Sequence, residues 1–233
     1  MAESLVVKPY ERLRVSAFLR ATYLWMTLGL SLTGVIAWFT AQSATLLSFV
    51  FGSQINFIIL IIAQLGLVFF LSARIGKMRP ASATISFIVY SALSGLTLSV
   101  IFLAFTQTSI VSVFFIAAAM FLTLSIYGFV TKRDLTAWGS FLFMGLVGII
   151  IAMVVNLFLK NSAMATIIPY IGVLVFAGLT AYDTQRLKTM ALQQPADADA
   201  GTIRKGAILG ALALYLDFIN LFIMLLQIFG SRR

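Results

Sequence analysis

Seven continuous apolar runs constrain this chain more than any other feature of its sequence. A run of about 20 apolar residues matches the hydrocarbon core of a bilayer, which is about 30 Å thick. Inside that core a helix satisfies its own backbone hydrogen bonds, whereas the strands of a barrel would alternate apolar and polar residues. The sequence therefore predicts an all-α integral membrane protein, a bundle of seven transmembrane helices. The predicted spans are roughly residues 22–42, 54–73, 83–105, 109–130, 137–159, 165–185 and 207–229.

The composition agrees with a membrane protein of one domain. Hydrophobic residues make up 61% of the 233 residues and charged residues only 10%, whereas soluble domains contain about a quarter charged residues. Because short loops join most spans, we expect a cytoplasmic N-terminal segment over residues 1–21 and one seven-helix domain over residues 22–233. The sequence contains neither cysteine nor histidine. This excludes disulfides, zinc sites of the His/Cys kind and Ser-His or Cys-His catalytic pairs.

The basic residues alternate from one side of the predicted membrane to the other. Thirteen of the 16 lysines and arginines fall before the first span or in the second, fourth and sixth loops, and the other three are Lys160, Arg232 and Arg233. Basic loops stay in the cytoplasm, so the N-terminus is expected in the cytoplasm and the C-terminus outside. The loops account for most of the net charge of +9. The expected partner is therefore the lipid bilayer and not a nucleic acid.

Two carboxylic acids lie inside the apolar spans, Asp183 near the cytoplasmic end of the sixth and Asp217 near the middle of the seventh. Asp217 is twelve residues beyond Lys205, or roughly 18 Å along a helix. A carboxylate at that depth costs about 2.5–3.5 kcal/mol on insertion scales, so it must face the bundle interior or water. The other five acidic residues, Asp134 and Asp199 among them, are expected to be solvated cytoplasmic charges.

Asp217 belongs to a stripe of small, polar and flexible residues on the seventh span. Small residues allow neighbouring helices to approach closely. The stripe therefore predicts that the seventh helix lies at the centre of the bundle. Its members follow alternating spacings of four and three residues: Gly206, Gly210, Ala213, Asp217, Asn220, Met224 and Gln227.

Both aspartates also have a purely structural interpretation. Asp217 could be protonated and hydrogen-bond a neighbouring helix, and Asp183 could form a local ion pair with the basic residues Arg186 and Lys188 beyond it. Residues at this depth are nevertheless candidates for function by default. Position alone does not show that Asp183 and Asp217 meet.

Four sequence segments resemble the Bax inhibitor-1 family of multi-pass membrane proteins, and its bacterial members in particular. They are TAYDTQRLK at 180–188, LYLDFINLF at 214–222, SALSGLTLS at 91–99 and YGFVTKRDL at 127–135. The resemblance implies a seven-helix fold with the last helix in the middle. It also implies a pH-sensitive calcium leak in the bacterial cytoplasmic (inner) membrane.

The resemblance further implies that an aspartate pair governs the leak, at positions that match Asp183 and Asp217. A basic residue at the cytoplasmic end of the second helix is expected to latch onto the pair, and Arg74 in LSARIGKM is the candidate. Thr180, Tyr215 and Asn220 are expected to be supporting polar residues. Because Ca²⁺ prefers oxygen ligands, the two carboxylates could bind it transiently, as a permeant ion and not as a cofactor.

Physical chemistry gives this pair a way to sense pH. Two carboxylates in a poorly solvated site cannot both ionise cheaply, and they titrate as a coupled unit. Our hypothesis is that protonation releases the latch, lets the second helix move and opens a path for Ca²⁺. Because Asp217 is deep and Asp183 is only three residues from Arg186, the sixth helix must continue past Lys188 for the two to meet.

The same residues are compatible with two other functions. The first is a membrane interaction protein that modulates a membrane-bound protease or a stress response, with the N-terminal segment as a contact. The second is an aspartyl intramembrane protease, because Tyr182 and Asp183 form a YD motif. No GxGD motif surrounds Asp217, so an enzyme is not expected.

Overall fold

The structure, a computed structural model, describes residues 9–195 and 198–233, with side chains from Leu13 onward. Residues 1–8 of the predicted N-terminal segment, and Asp197, lie outside the described residues. The described helices are α1 Pro9–Gln42, α2 Ala44–Phe51, α3 Gln54–Arg74, α4 Pro80–Leu98, α5 Val100–Ala104, α6 Gln107–Val130, α7 Thr136–Leu159, α8 Ser162–Gln193 and α9 Ala200–Phe229. Within this part of the chain, seven helices are long and apolar enough to cross a membrane. The predicted all-α membrane fold is confirmed.

The first helix begins well before the predicted span. It starts at Pro9, so the described part of the predicted N-terminal segment is helical. Val15, Phe18 and Leu19 are buried in the core. They recur at helical spacing between basic residues, and this pattern continues the inward face of α1 towards its N-terminus.

The central position of α9 is also as predicted. In its most apolar stretch 67% of residues are buried, against 11–39% in the other six spans. It packs against α1, α4, α6 and α8. Its buried residues are not confined to the stripe of small and polar residues, since Leu214 and Leu221 on other faces are fully buried too. A helix surrounded by neighbours is apolar and buried on nearly all sides.

The helix α8 runs far beyond the predicted end of the sixth span. It continues to Gln193, five residues past Lys188, as the depth of Asp217 required. The two residues that follow its end are bound by a side chain of α1. Arg14 Nη2 donates to the carbonyls of Gln194 at 2.8 Å and Pro195 at 2.7 Å. Cations are favoured at the C-terminal end of a helix, where carbonyls lack helical partners.

Two lysines also bind backbone carbonyls at the same end of the bundle. Lys188 Nζ donates to the Phe129 carbonyl at the end of α6 at 2.8 Å. Lys205 Nζ donates to the Gly76 carbonyl after α3 at 3.1 Å. This end of the bundle comprises the loops at 75–79 and 131–135 and the C-terminal end of α8. We call it the basic end. The basic residues there fix helix ends as well as carrying charge.

The opposite end of the bundle is closed by the C-terminus. Phe105 and Arg232 form an antiparallel bridge. The Thr106 N–H donates to the Ser231 carbonyl at 3.0 Å, and the Arg233 N–H donates to the Ala104 carbonyl at 3.1 Å. The residues after α9 are thereby joined to the connection between α5 and α6.

Close backbone contact between α6 and α8 generates the first prediction. A Cβ atom at Gly128 would collide with the Ala181 carbonyl oxygen, whereas one at the exposed Gly148 would meet nothing within 4 Å. We expect Gly128→Ala to separate the two helices and to lower the free energy of unfolding by about 1–3 kcal/mol. Thermal unfolding of purified protein in detergent should show a fall of roughly 3–10 °C.

The matched control is Gly148→Ala, which makes the same chemical change without a contact. It should leave the thermal unfolding midpoint unchanged or raise it slightly, because alanine stabilises a helix by up to about 1 kcal/mol relative to glycine. Equal effects of the two substitutions would contradict the backbone contact.

Candidate functional site

The two intramembrane aspartates meet between α8 and α9. Their carboxyl groups lie within hydrogen-bonding reach of each other. The side chain of Asp183 is 15% exposed and Asp217 is 5% exposed. Two carboxyl groups can hydrogen-bond only when one of them is protonated, because a fully ionised carboxylate has no proton to donate. The arrangement therefore allows the pair to share a proton.

Helix length brings Asp183 to the depth of Asp217. Asp183 lies ten residues before the end of α8 at Gln193, or roughly 15 Å along the helix. Asp217 lies in the middle of α9. The sequence alone predicts Asp183 near the cytoplasmic end of its span, three residues before Arg186. In the structure Arg186 and Lys188 belong to a helix that continues within the bundle, where Leu187 and Ala191 are buried.

A cation lies next to the pair on the same helix. Arg186 Nη1 is 3.9 Å from Asp183 Oδ1, and the Arg186 side chain is 70% exposed. The two residues are separated by one helical turn, which is the spacing at which charged side chains interact. A single contact at this distance from a largely exposed guanidinium is a weak ion pair. Arg186 is therefore held near Asp183 without being fixed there.

A cavity of about 320 Å³ extends from Asp183 towards the basic end. We call it the aspartate cavity. Asp183 and Arg186 supply its charged groups, and α3 supplies Ser72. Most of the remaining wall is apolar and comes from α8 and α9. Its lining residues are Ser72, Asp183, Arg186, Leu187, Met190, Leu209, Gly210, Leu212, Ala213 and Leu216.

One oxygen of the pair receives no N–H or hydroxyl donor from the described residues. Asp217 Oδ2 is buried, and its remaining protein neighbour for a hydrogen bond is the carboxyl group of Asp183. Buried polar atoms are nearly always paired with protein or water, so such an atom calls for a specific account. A carboxylate oxygen in this position can accept a hydrogen bond from water or bind a hard cation.

The two carboxylates do not make a resident metal site. In the described part of the chain no group of three or more Asp, Glu, His or Cys residues could hold a metal ion. Ca²⁺ sites in proteins use 6–8 oxygen ligands. Two carboxylates could therefore bind a passing cation only with water or carbonyl oxygens completing its coordination.

The structure does not bring the expected latch residue to the pair. Arg74 is the last residue of α3 and is exposed. Among the described residues the ion pair at this site is made by Arg186. The nearest contribution from α3 is Ser72, two residues earlier, in the wall of the aspartate cavity.

The three expected supporting residues direct their hydrogen bonds elsewhere. Thr180 Oγ1 donates to the Phe176 carbonyl at 2.8 Å. Asn220 Nδ2 donates to the Leu216 carbonyl at 2.8 Å. Both bonds stay within their own helices, so these side chains are satisfied locally. Both residues lie on the helices that carry the pair, but these hydrogen bonds do not involve its carboxyl groups.

Tyr215 lies away from the pair, on another face of α9. It is fully buried, and its hydroxyl is 2.7 Å from Thr33 Oγ1 of α1. Its ring packs edge-on against Phe87 and Tyr90 of α4. Tyr215 therefore joins α1, α4 and α9, which is the structural role that buried tyrosines commonly have.

Sequence reasoning missed Ser72 as a member of the site and named Arg186 only as a possible local ion-pair partner of Asp183, a contact that the structure shows. The signal for Arg186 was present, since it lies three residues after Asp183 on a helix. Ser72 lies in an apolar helix and has no partner at a recognisable spacing, so no sequence signal identifies it.

These features define the class of protein as a multi-pass membrane protein whose central helix carries a paired, buried carboxyl group. The family model described as "Inhibitor of apoptosis-promoting Bax1" matches residues 15–233. The chain belongs to this family, the Bax inhibitor-1 family.

Bacterial relatives match over nearly their full lengths. The inner membrane protein YbhL of Escherichia coli (strain K12) is 51% identical over 228 residues, which cover 98% of this chain and 96% of that protein. An uncharacterized protein of Borreliella burgdorferi is 42% identical over 229 residues, 98% of each chain. One of Deinococcus radiodurans is 43% identical over 219 residues, 94% of this chain and 92% of that protein.

The hydroxyl of Tyr215 generates the second prediction. Thr33 Oγ1 also donates to the Ser91 carbonyl at 2.8 Å, so it keeps a partner when the tyrosine hydroxyl is removed. We expect Tyr215→Phe to cost about 1 kcal/mol, the net value of one hydrogen bond. The thermal midpoint in detergent should fall by roughly 2–4 °C.

The control for this substitution is Tyr170→Phe, since Tyr170 is 55% exposed. Surface substitutions usually change stability by no more than about 0.5 kcal/mol. A loss at Tyr170 as large as that at Tyr215 would show that the buried hydroxyl makes no specific contribution.

Proposed function

We propose that the protein is a pH-sensitive calcium leak in the bacterial inner membrane, gated by the coupled pair Asp183 and Asp217. The observation that carries the proposal is the close approach of these two carboxyl groups, on two helices, inside a membrane protein. An intramembrane carboxyl group is expensive and is expected to serve function. A shared proton makes the charge of the site depend on pH.

The chemistry of the site favours a hard cation such as Ca²⁺. The polar atoms at the pair are carboxylate oxygens, and Asp217 Oδ2 is available for a further contact. The aspartate cavity connects Asp183 with the largely exposed Arg186, so a cation has a route towards the basic end. Few fixed ligands mean weak binding, which a leak requires because an ion must also leave.

The gate in this proposal is the ion pair between Arg186 and Asp183. While the pair carries a negative charge, it attracts the guanidinium, whose own positive charge opposes entry of a cation. When the pH falls and the pair takes up its second proton, the attraction is lost and Arg186 moves away. Flux is therefore expected to rise as the pH falls. The 3.9 Å contact supports Arg186 in this role over Arg74.

The orientation forms part of the same proposal. The basic end is assigned to the cytoplasm, because basic loops are retained there. YbhL is named an inner membrane protein, and its similarity over nearly the whole chain supports the same location. The aspartate cavity would then face the cytoplasm, and the gate would respond to cytoplasmic pH.

Replacement of Asp183 gives the third prediction. Asn has nearly the same shape and can donate to Asp217, but it can neither titrate nor attract Arg186. In proteoliposomes loaded with a Ca²⁺-sensitive dye, the flux of the parent protein should change by up to about tenfold per pH unit, the limit for one titrating proton. The flux of Asp183→Asn should change by less than about twofold over the same range.

Asp199→Asn is the matched control for this experiment. Asp199 caps α9 by accepting from the N–H groups of Gly201 and Thr202, and Asn is an equally good cap. This variant loses the same charge and should keep the parent's pH profile. An unchanged flux and pH profile in Asp183→Asn would refute the proposed function.

The identity of the gating cation gives the fourth prediction. Arg186→Gln removes the attraction that holds the closed state, and a partly exposed ion pair contributes up to about 1 kcal/mol. We expect the Ca²⁺ flux at neutral pH to rise about two- to fivefold. Arg74→Gln makes the same charge change and should leave the flux unaltered. The opposite result would assign the latch to Arg74, as the family resemblance implies.

A further inference from the structure

A second cavity, of about 400 Å³, lies beside the aspartate cavity at the basic end. We call it the loop cavity, because the connection between α6 and α7 forms one side of it. Six of its eight lining residues are unique to it, and two, Arg186 and Met190, also line the aspartate cavity. The full lining is Asp134, Thr136, Tyr182, Gln185, Arg186, Thr189, Met190 and Gln193.

The two shared residues form the wall between the cavities. Arg186 and Met190 are four residues apart on α8, so they lie on one face of the helix. Both are long, unbranched side chains with several rotatable bonds, which makes such a wall easy to rearrange. Each cavity also holds a carboxyl group, Asp183 on one side of the wall and Asp134 on the other. Arg186 thus stands between two acidic groups.

The loop carrying Asp134 is fixed to α8 right beside Arg186. Gln185 Nε2 donates to the Arg133 carbonyl at 2.8 Å, and Gln185 Oε1 accepts from the Leu135 N–H at 2.8 Å. One side chain therefore holds both neighbours of Asp134 in the chain. Since Gln185 immediately precedes Arg186, this clamp keeps the Asp134 carboxylate at a constant position relative to the arginine.

Asp134 is well suited to remain charged when the inner pair is protonated. Hydrogen bonds from Thr136, from its side chain and from its backbone N–H, hold the pKa of Asp134 below its ordinary value. The backbone bond to Oδ1 measures 2.9 Å. The group is exposed to solvent, so burial does not oppose its ionised form. Its other oxygen can accept a guanidinium.

We propose that Asp134 is a second anchor for Arg186, which binds Asp183 when the leak is closed and Asp134 when it is open. The inference rests on the proposed function for its physiological meaning. Its structural basis is the shared wall, the loose contact with Asp183 and the clamped loop. Movement of Arg186 towards Asp134 removes its positive charge from the aspartate cavity. Asp134 is then a positioning residue, which acts through Arg186.

The other charged and titratable groups near Arg186 do not replace Asp134 in this role. Asp183 and Tyr182 come from α8 itself, and Asp217 from α9 reaches the arginine only through Asp183. The helix α3 contributes the uncharged Ser72. Lys188 is turned towards the Phe129 carbonyl of α6. Asp134 is the carboxylate that lines the loop cavity with Arg186.

The test uses Asp134→Asn in the full-length protein. Asn keeps an oxygen that accepts from the Thr136 N–H, so the loop geometry is preserved while the charge is lost. Removing the anchor of the open state should shift the midpoint of the Ca²⁺ flux profile to lower pH by roughly half a unit, the size expected of an exposed ion pair. In the Arg186→Gln background the same substitution should cause no shift. Asp199→Asn, with the same loss of charge at the same end, should also cause none.

A second measurement decides the inference without any flux. Thermal midpoints in detergent are taken for the parent, Asp134→Asn, Arg186→Gln and the double variant, at about pH 5 and about pH 8. The coupling between the two substitutions should be roughly 1–2 °C at the lower pH and close to zero at the higher pH.

The outcomes distinguish the proposed function from the role of Asp134 as an anchor for Arg186. A parent without pH-dependent flux would refute the proposed function, while the coupling at low pH still decides whether Asp134 anchors Arg186. A pH-dependent parent whose profile is unmoved by Asp134→Asn, or moved equally in the Arg186→Gln background, would overturn the anchor. So would a coupling that is absent at low pH or identical at the two pH values.

Discussion

The burial of the Asp217 carboxyl group is the constraint on which the rest of the structure depends. A carboxyl group in the middle of a membrane protein needs a partner of its own polarity, and here the partner is Asp183. For Asp183 to lie at that depth, α8 must extend to Gln193. The extension carries Arg186 and Gln185 with it, and these residues organise the basic end. One costly buried group thus accounts for the extension of α8 beyond its hydrophobic span.

The sequence predicted much of the fold and only part of the site. Seven spans, a central last helix and the two aspartates follow from hydropathy, small-residue spacing and the rarity of charge in a span. The sequence named Arg186 only as a local ion-pair partner of Asp183 and gave it no part in gating, because arginines near the end of a span also mark the interface. The clamp from Gln185 to the loop at 133–135 joins residues about fifty positions apart. Periodicity within one element carries no information about such contacts.

The basic residues have two physical roles that composition cannot distinguish. Lys188, Lys205 and Arg14 donate to carbonyls at helix ends and loops, so they stabilise the ends of α6, α3 and α8. Arg186 makes a weak contact and faces two cavities. Arg186 lines two cavities that each hold a carboxyl group, and for this reason the proposed gate assigns the movable charge to it.

The bridge between Phe105 and Arg232 has a mechanical consequence for the central helix. At its far end α9 is tied to the α5–α6 connection by this bridge, and near its start Lys205 holds the carbonyl of Gly76. Both contacts oppose sliding of α9 along its own axis. Tilting or turning of the surrounding helices about α9 strains these contacts less and is therefore the less costly way for the bundle to open.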